Sequence, residues 1–538
     1  MAKFNREKVL RQLEFKRKWR SYSRYVYIAV PCVLCCLLCL YFAYSKFFVS
    51  EEQAVIRTTV GDFIYGDVVI GAYIDGEYSS TIPSKNDGYV VDKVSCDNGA
   101  VGEWNNDDWG LLTTNLSKRT KCNVYFHKDY LAPIIAQLDT TGKCPTMNAD
   151  GSVNVTGVEA TDGYLCSAKD AYGTSYYYRG NVTNNYVKFA DKYWRIVRIN
   201  GDGTVRVIYD GTSAHANGES SADRQIGRSA FNNNYMDNAY VGYMYGDRTS
   251  IVEPTSQYST TSFTNTNTYY IAKEYTYNAS TDRFTLKDPI AVLGSAMTSD
   301  YVGYYTFGST SASSSNSYVY KIFSVTAGSS SARVGYGYVT YATTSKEAAQ
   351  TNKNDSTIKT YLDNWYKTNI VGTTNEQYLA DNIFCNDRSF SSSNSGTGAG
   401  MSRTYYRWYY FANSSYNNKM MLTCPQKNDA FTVNDTSKGN GALTYPVGLL
   451  STDEIVLAGG WNDSNSGYYL YSGQYWWASS PSYFFGNRAY VRYVYSNGYA
   501  LNDDYVLSYC GVRPVFNLKA EVLAQGSGTV SDPYRISS

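Results

Sequence analysis

Few side chains in this 538-residue sequence are suited to covalent or metal chemistry, and their spacing limits what they can do. The two histidines, His127 and His215, lie far apart in the chain, so a Ser-His-Asp, Cys-His or multi-His metal site is hard to assemble. Both are read as surface residues. Cys32, Cys35, Cys36 and Cys39 share one apolar run, where packing or lipid attachment explains them better than a redox motif. Six more cysteines form local pairs, Cys96 with Cys122, Cys144 with Cys166 and Cys385 with Cys424. Outside a reducing compartment such neighbours are the simplest disulfide partners, which leaves Cys510 alone. Carboxylates stand at Asp381, Asp387, Asp429, Asp453, Glu454, Asp463, Asp503 and Asp504, but a glycosidase needs two of them flanking one bond. Their spacing does not say which could meet. Asp202-Gly203 lacks the ligand spacing of an EF-hand, and Trp461-Asn462-Asp463 reads as a turn. No catalytic residue, metal site or cofactor is expected, and the chain is read as a non-enzyme.

What the chain has in excess is contact chemistry. Tyrosine is the outlier, 57 against 20 Phe and 9 Trp. The densest use is between two frames near the end, Trp476-Trp477-Ala478-Ser479-Ser480-Pro481 and Gly511-Val512-Arg513-Pro514-Val515-Phe516-Asn517-Leu518. Trp476, Trp477, Ser480, Pro481, Gly511, Arg513 and Pro514 are taken as scaffold. Between them small apolar residues alternate with Tyr483, Phe484, Phe485, Asn487, Tyr490, Tyr493, Tyr495, Tyr499, Asn502, Asp503, Asp504, Tyr505, Ser508, Tyr509 and Cys510. Alternation of this kind makes strands with one packed and one presented face. Tyr with Asn, Asp and Ser is the composition of a paratope, rigid aromatic anchors among adaptable polar groups. The alternation breaks between Arg492 and Val494, which predicts a bulge there.

The WW-x-SSP frame, the mixed middle and the GVRPVFNL strand resemble the C-terminal region of target proteins of diversity-generating retroelements. The resemblance implies a C-type-lectin-like domain of the formylglycine-generating-enzyme (sulfatase-modifying-factor) type. It also implies that Asn codons in the middle segment are rewritten to Tyr, Ser, Asp, Phe, Cys and others. Cys510 fits that set. The copper-binding cysteine pair of formylglycine-generating enzymes has no counterpart here, so the implied function is a cell-surface receptor or adhesin. The alternative is a sulfatase-modifying-factor-like surface enzyme or accessory protein. The run Ile82 to Ala100 is similar to membrane-anchored proteins of gut Firmicutes that carry the same C-terminal domain.

The elements that must position this segment read as follows. Residues 1–24 are a basic cytoplasmic tail, and 25–45 is an uncharged run long enough to span a bilayer as a single helix. The positive flank places the N-terminus inside and everything after it outside. Alternation between turn signals over 51–140 gives a small all-β stalk, with a short helix within Asp129 to Leu138. Residues 141–175 read as linker, 176–520 as the ligand-binding domain with a hairpin and loop insertion at about 249–344, and 521–538 as a tail. Asp355 or Ser356 can cap a helix through Trp365, a further turn or two falls at Thr374 to Ile383, and Ser451 with Glu454 matches a capping box. Helices beside an antiparallel sheet make the predicted fold class α+β, with the resemblance supplying the C-type-lectin-like plan. A net charge of +1 gives no argument for nucleic acid. The expected partners are an unknown protein or glycan at the cell exterior and the membrane through the N-terminal helix.

Overall fold

The computed structural model describes residues 11–20, 55–57, 64–65 and, apart from shorter stretches of which the longest are 308–318, 392–403 and 412–418, residues 68–537. The chain divides into two compact units, Met1–Asp129 and Tyr130–Ser538.

In the first unit the 11–20 segment is an exposed helix. The apolar run 25–45 lies outside the described residues. The stalk sheet is built on β1 (Val68–Ile74), β2 (Tyr89–Cys96) and β3 (Thr120–Lys128). β3 pairs parallel with β1 and antiparallel with β2, which sets Cys96 directly opposite Cys122 in the disulfide expected from the sequence. Trp104 and Trp109 close over Phe126 on the packed face. Asp75-Gly76, with φ of 50° and 90°, makes the tight turn that only a left-handed pair allows.

The second unit is organised on an antiparallel sheet of β4 (Tyr164–Lys169), β5 (Thr174–Arg179), β6 (Lys192–Ile199), β7 (Val205–Gly211) and, from the far end of the chain, β11 (Val515–Leu518). Val205 faces Leu518 and Ile208 faces Val515 across the last pair. Two short helices pack beside it. α1 (Thr357–Asn369) begins at Ser356, whose side chain accepts from the Lys359 N–H, and α2 (Thr452–Leu457) carries the expected capping box of Ser451 and Glu454. A second sheet contains β8 (Trp476–Phe485), β9 (Arg488–Val494) and β10 (Asn502–Tyr505), flanked by Cys510–Gly511 and Arg228–Ser229. The inserted region forms a third sheet, in which Val319–Thr326 and Arg333–Tyr341 are central neighbours.

The α+β, lectin-like expectation is corrected. Strands dominate both units, and the longest described helix of the second unit has only 13 residues. Among the described residues no helix is long and apolar enough to cross a membrane. The physical reason lies in the Tyr-, Thr- and Val-rich segments punctuated by Gly and Asn, which suit pleated half-buried surfaces. Apart from α1, the apparent helical periods amount to one or two turns each, and Thr374 to Ile383 yields only a 3-10 turn at Glu376–Tyr378. The 141–175 stretch, read as a linker, supplies β4, the first two residues of β5 and the Cys144–Cys166 disulfide. The 521–538 segment is no tail, for Val522 is buried and the Lys188 N–H donates to the Tyr534 carbonyl.

Between the sheet and α2 lies a chain of buried ions. Glu454 accepts from Arg206 and, at 3.1 Å, from Arg198, which also binds Asp170 at 2.8 Å. Burial alone would raise the Glu454 carboxyl, but Arg206, Arg198 and the Ser451 N–H outweigh it and hold the group at about 2. A carboxylate depressed in the folded state contributes stability above its unfolded pKa and loses it as pH falls through the folded one. The stability difference between the native chain and a Glu454→Gln variant is therefore expected to be about 3 kcal/mol at neutral pH and to shrink between about pH 4.5 and 2. Urea titrations of both chains at several pH values check this, and a difference that stays constant with pH would refute it.

Candidate functional site

Both frames are buried, and each of their residues has a structural task. Trp476 lies under the Arg513 guanidinium, 5.0 Å from its ring centre, and Trp477 donates its indole N–H to the Ser229 carbonyl at 2.9 Å. Ser480 accepts the Thr452 N–H at 2.9 Å and so ties β8 to the start of α2. Pro481 sits between two register shifts in the pairing of β8 with β9, where a residue without an N–H is tolerated. The predicted irregularity is thus in β8, and β9 runs in regular register with β10 from Tyr490 to Tyr493. Gly511 passes the chain so closely that a Cβ there would fall 2.7 Å from the Tyr475 carbonyl oxygen. Arg513 donates to the Tyr209 and Leu470 carbonyls and to Asp210, and Pro514 accepts the Tyr209 N–H at 2.9 Å.

On this frame the sheet aligns a row of rings. Tyr483 is directly opposite Tyr490, and Tyr490 directly opposite Tyr505, so the three share one face of the sheet. The Tyr483 and Tyr490 rings stack at 4.4 Å and 6°, and Tyr490 meets Tyr505 edge-on at 5.8 Å. Tyr409 extends the row at 4.9 Å from Tyr483, and Tyr405 stacks on Tyr409 at 4.0 Å. Arg488 closes the other end over Tyr505 at 5.1 Å. At the opposite end of β9, Tyr475 and Tyr495 meet edge-on at 4.7 Å.

The other predicted contact residues divide by burial. Phe485 and Tyr505 are exposed, and Tyr509 is the most open of them at 62 %. Tyr483, Tyr490, Tyr495, Tyr499, Asn502, Asp503, Asp504 and Ser508 are half-buried. Phe484 is wholly inside, and Tyr493 (7 % exposed) turns to the opposite face, where it packs on Trp477 and accepts from Asn502 at 2.9 Å. Asp503 is partly a scaffold residue: it lies 3.5 Å from the buried Arg492 and accepts from Ser482 at 2.6 Å. Cys510 is 4 % exposed, and burial pushes its thiol up to about 12, which holds it in the unreactive neutral form. Asn487 lies outside the described residues. Tyr405, Tyr409, Tyr475 and Arg488 were not picked out in the sequence. The i, i+4 spacing of Tyr405 and Tyr409 was the available signal, but it lies far from the segment it joins.

Most of the buried carboxylates are held by arginines, and Asp381 accepts the backbone N–H groups of Val433, Asn434 and Asp435. Asp387 and Asp453 share Arg407, Asp429 pairs with the buried Arg388 at 2.7 Å, and Glu454 holds Arg198 and Arg206. Cys385 and Cys424 form the third disulfide. His215 is not at the surface: it is buried, with Glu219 2.7 Å from Nδ1 and Asp223 3.0 Å from Nε2.

Residues 338–520 match the model of a family described as a domain of unknown function (DUF6273), a span that takes in α1, α2 and the whole aromatic face. No curated protein and no solved structure matches the chain.

Proposed function

We propose that this chain is a ligand-binding protein of the cell exterior, a receptor or adhesin that recognises a protein or glycan by contact, without a covalent step. The observation that carries the reading is the row Tyr483, Tyr490, Tyr505, three neighbouring rings held by cross-strand register on a backbone whose frame residues are buried. Large rigid rings with polar neighbours give contact area at low entropic cost. Asp503, two residues before Tyr505 and on the same face, is a polar neighbour of the row, Arg488 adds a cation at one end, and Asn502 and Asp504 line the opposite face with Tyr493. The three disulfides suit an oxidising compartment. Diversification of the face follows from the same reading, because exchanging these side chains leaves the frame untouched.

Sequencing the codons for Ser482 to Gly511 across a population of the source cells tests this. Substitutions are expected at Tyr483, Phe485, Tyr490, Tyr495, Asn502, Asp504, Tyr505, Ser508 and Tyr509. Ala489, Val491, Arg492 and both frames should stay constant. Variation spread equally over frame and face would count against a contact surface, and uniform codons would leave a binder dedicated to one ligand in place of a diversified one.

A further inference from the structure

A second site lies behind the aromatic face. The loop Asn232-Asn233-Asn234 and the exposed side of α1 enclose an open cleft of about 550 Å³, within the range of small-ligand sites, about 300–1,000 Å³. Its lining consists of amides, hydroxyls, tyrosine rings and one carboxylate, with no aliphatic side chain. The loop is tied to the first turn of α1 on both sides, the Asn233 N–H donating to Thr357 Oγ1 at 2.9 Å and the Thr357 N–H to Asn232 Oδ1 at 3.2 Å. The walls are therefore preformed. Tyr240 and Tyr245 meet edge-on at 4.9 Å on one side. Across from them Tyr361 and Asn364 project from α1, one and two helical turns after Thr357 and on the same side. The side chains of Asn233, Tyr361 and Asn364 make no hydrogen bond with any described residue, although they line the cleft.

We propose that this cleft binds a neutral oligosaccharide of two or three rings. Sugar hydroxyls both donate and accept, and an amide offers both functions from one group. A tyrosine ring can cover the apolar face of a pyranose while its hydroxyl reaches the rim. The absence of aliphatic lining argues against a lipid or an apolar peptide. An anionic ligand is disfavoured too: no lysine or arginine lines the cleft, and Lys359 of α1 is 1 % exposed and held by Asp355 at 3.1 Å and Asp363 at 2.7 Å. Asp355, half-exposed at the rim, leaves the local charge unfavourable for phosphate or sulfate. The site is also coupled in space to the aromatic face. The Ala489 N–H donates to the Tyr235 carbonyl and the Asn232 N–H to the Val506 carbonyl, both at 2.9 Å, so the loop that forms the cleft also braces the start of β9 and the residue that follows β10. A constant saccharide foothold would stand next to a surface whose side chains can change.

Calorimetric titration of the full chain with maltotriose, cellotriose, β-1,4-mannotriose and triacetylchitotriose, with sialyllactose as the anionic control, tests the proposal. At least one neutral trisaccharide is expected to bind with Kd below ~10 mM and more tightly than the control. Asn364→Ala and Tyr361→Phe are each expected to weaken it about five- to tenfold. Asn364 is exposed, so its variant should keep the native thermal midpoint and decides the matter if Tyr361→Phe is less stable. A Tyr483→Ser/Tyr490→Ser variant should bind the trisaccharide unchanged, which separates this site from the aromatic face. The proposal is overturned if no neutral trisaccharide binds in that range, if the anionic control binds more tightly, or if Asn364→Ala leaves the affinity unaltered.

Discussion

Replacing Asp210 with asparagine is expected to cost the second unit about 3–5 kcal/mol of folding stability, the scale for leaving buried charges without their partner. Asp210 is fully buried, and one of its oxygens serves two guanidiniums, Arg224 at 2.7 Å and Arg513 at 2.9 Å, with Arg195 4.0 Å from the other oxygen. Burial pulls Arg513 down to about 10, and Asp210 is the first group that resists this. An amide of the same shape keeps the packing but removes the counter-charge. Guanidinium denaturation of the two chains measures the loss. A cost under about 1 kcal/mol would mean that the backbone carbonyls bound by these arginines already suffice to hold them.

Trp477→Ala is expected to cost a comparable amount, about 3–5 kcal/mol, because a fully buried indole and its hydrogen bond to Ser229 are both lost. Tyr505→Ser, on the presented side of the same sheet, should cost no more than about 1 kcal/mol, the range of one cross-strand pair. This contrast between frame and face is what a surface free to change its side chains requires. If Tyr505→Ser were as costly as Trp477→Ala, the rings would be packing residues and the contact reading would fall. The same denaturation experiment decides it.

Local features were the most legible in the sequence. Ser356 and the Ser451–Glu454 box cap the helices they were expected to cap, and the disulfides join the sequence neighbours. Asn200-Gly201-Asp202-Gly203, two turn dipeptides in a row, makes the turn between β6 and β7. Features set by distant partners were not legible. Alternation marked Tyr483, Tyr490 and Tyr505 as presented, but the direction of Tyr493 depends on its regular register with Asn502. Arg513 was legible as a scaffold residue, but the burial of Arg195 and Arg206 was not, because only the fold brings their carboxylates inside. The parallel pairing of β1 with β3 was hidden behind a run that reads as successive hairpins. The fold class was not legible because α1 and the shorter helical turns are each locally convincing, while the predominance of strands emerges only from their pairing over the whole chain.

The pairing of β7 with β11 bears on synthesis as well as on architecture. Arg206 and Asn517 are joined at 3.0 Å although 311 positions separate them, so the sheet lacks its edge until Val515–Leu518 have been made. Pairings of such separation are slow to form, and they cannot begin on a nascent chain that is still incomplete. A frameshift or stop anywhere in the stretch between the frames would delete the strand that closes the sheet. Folding would thereby act as a reading-frame check: any chain that reaches its mature form has been translated intact through the segment between the frames.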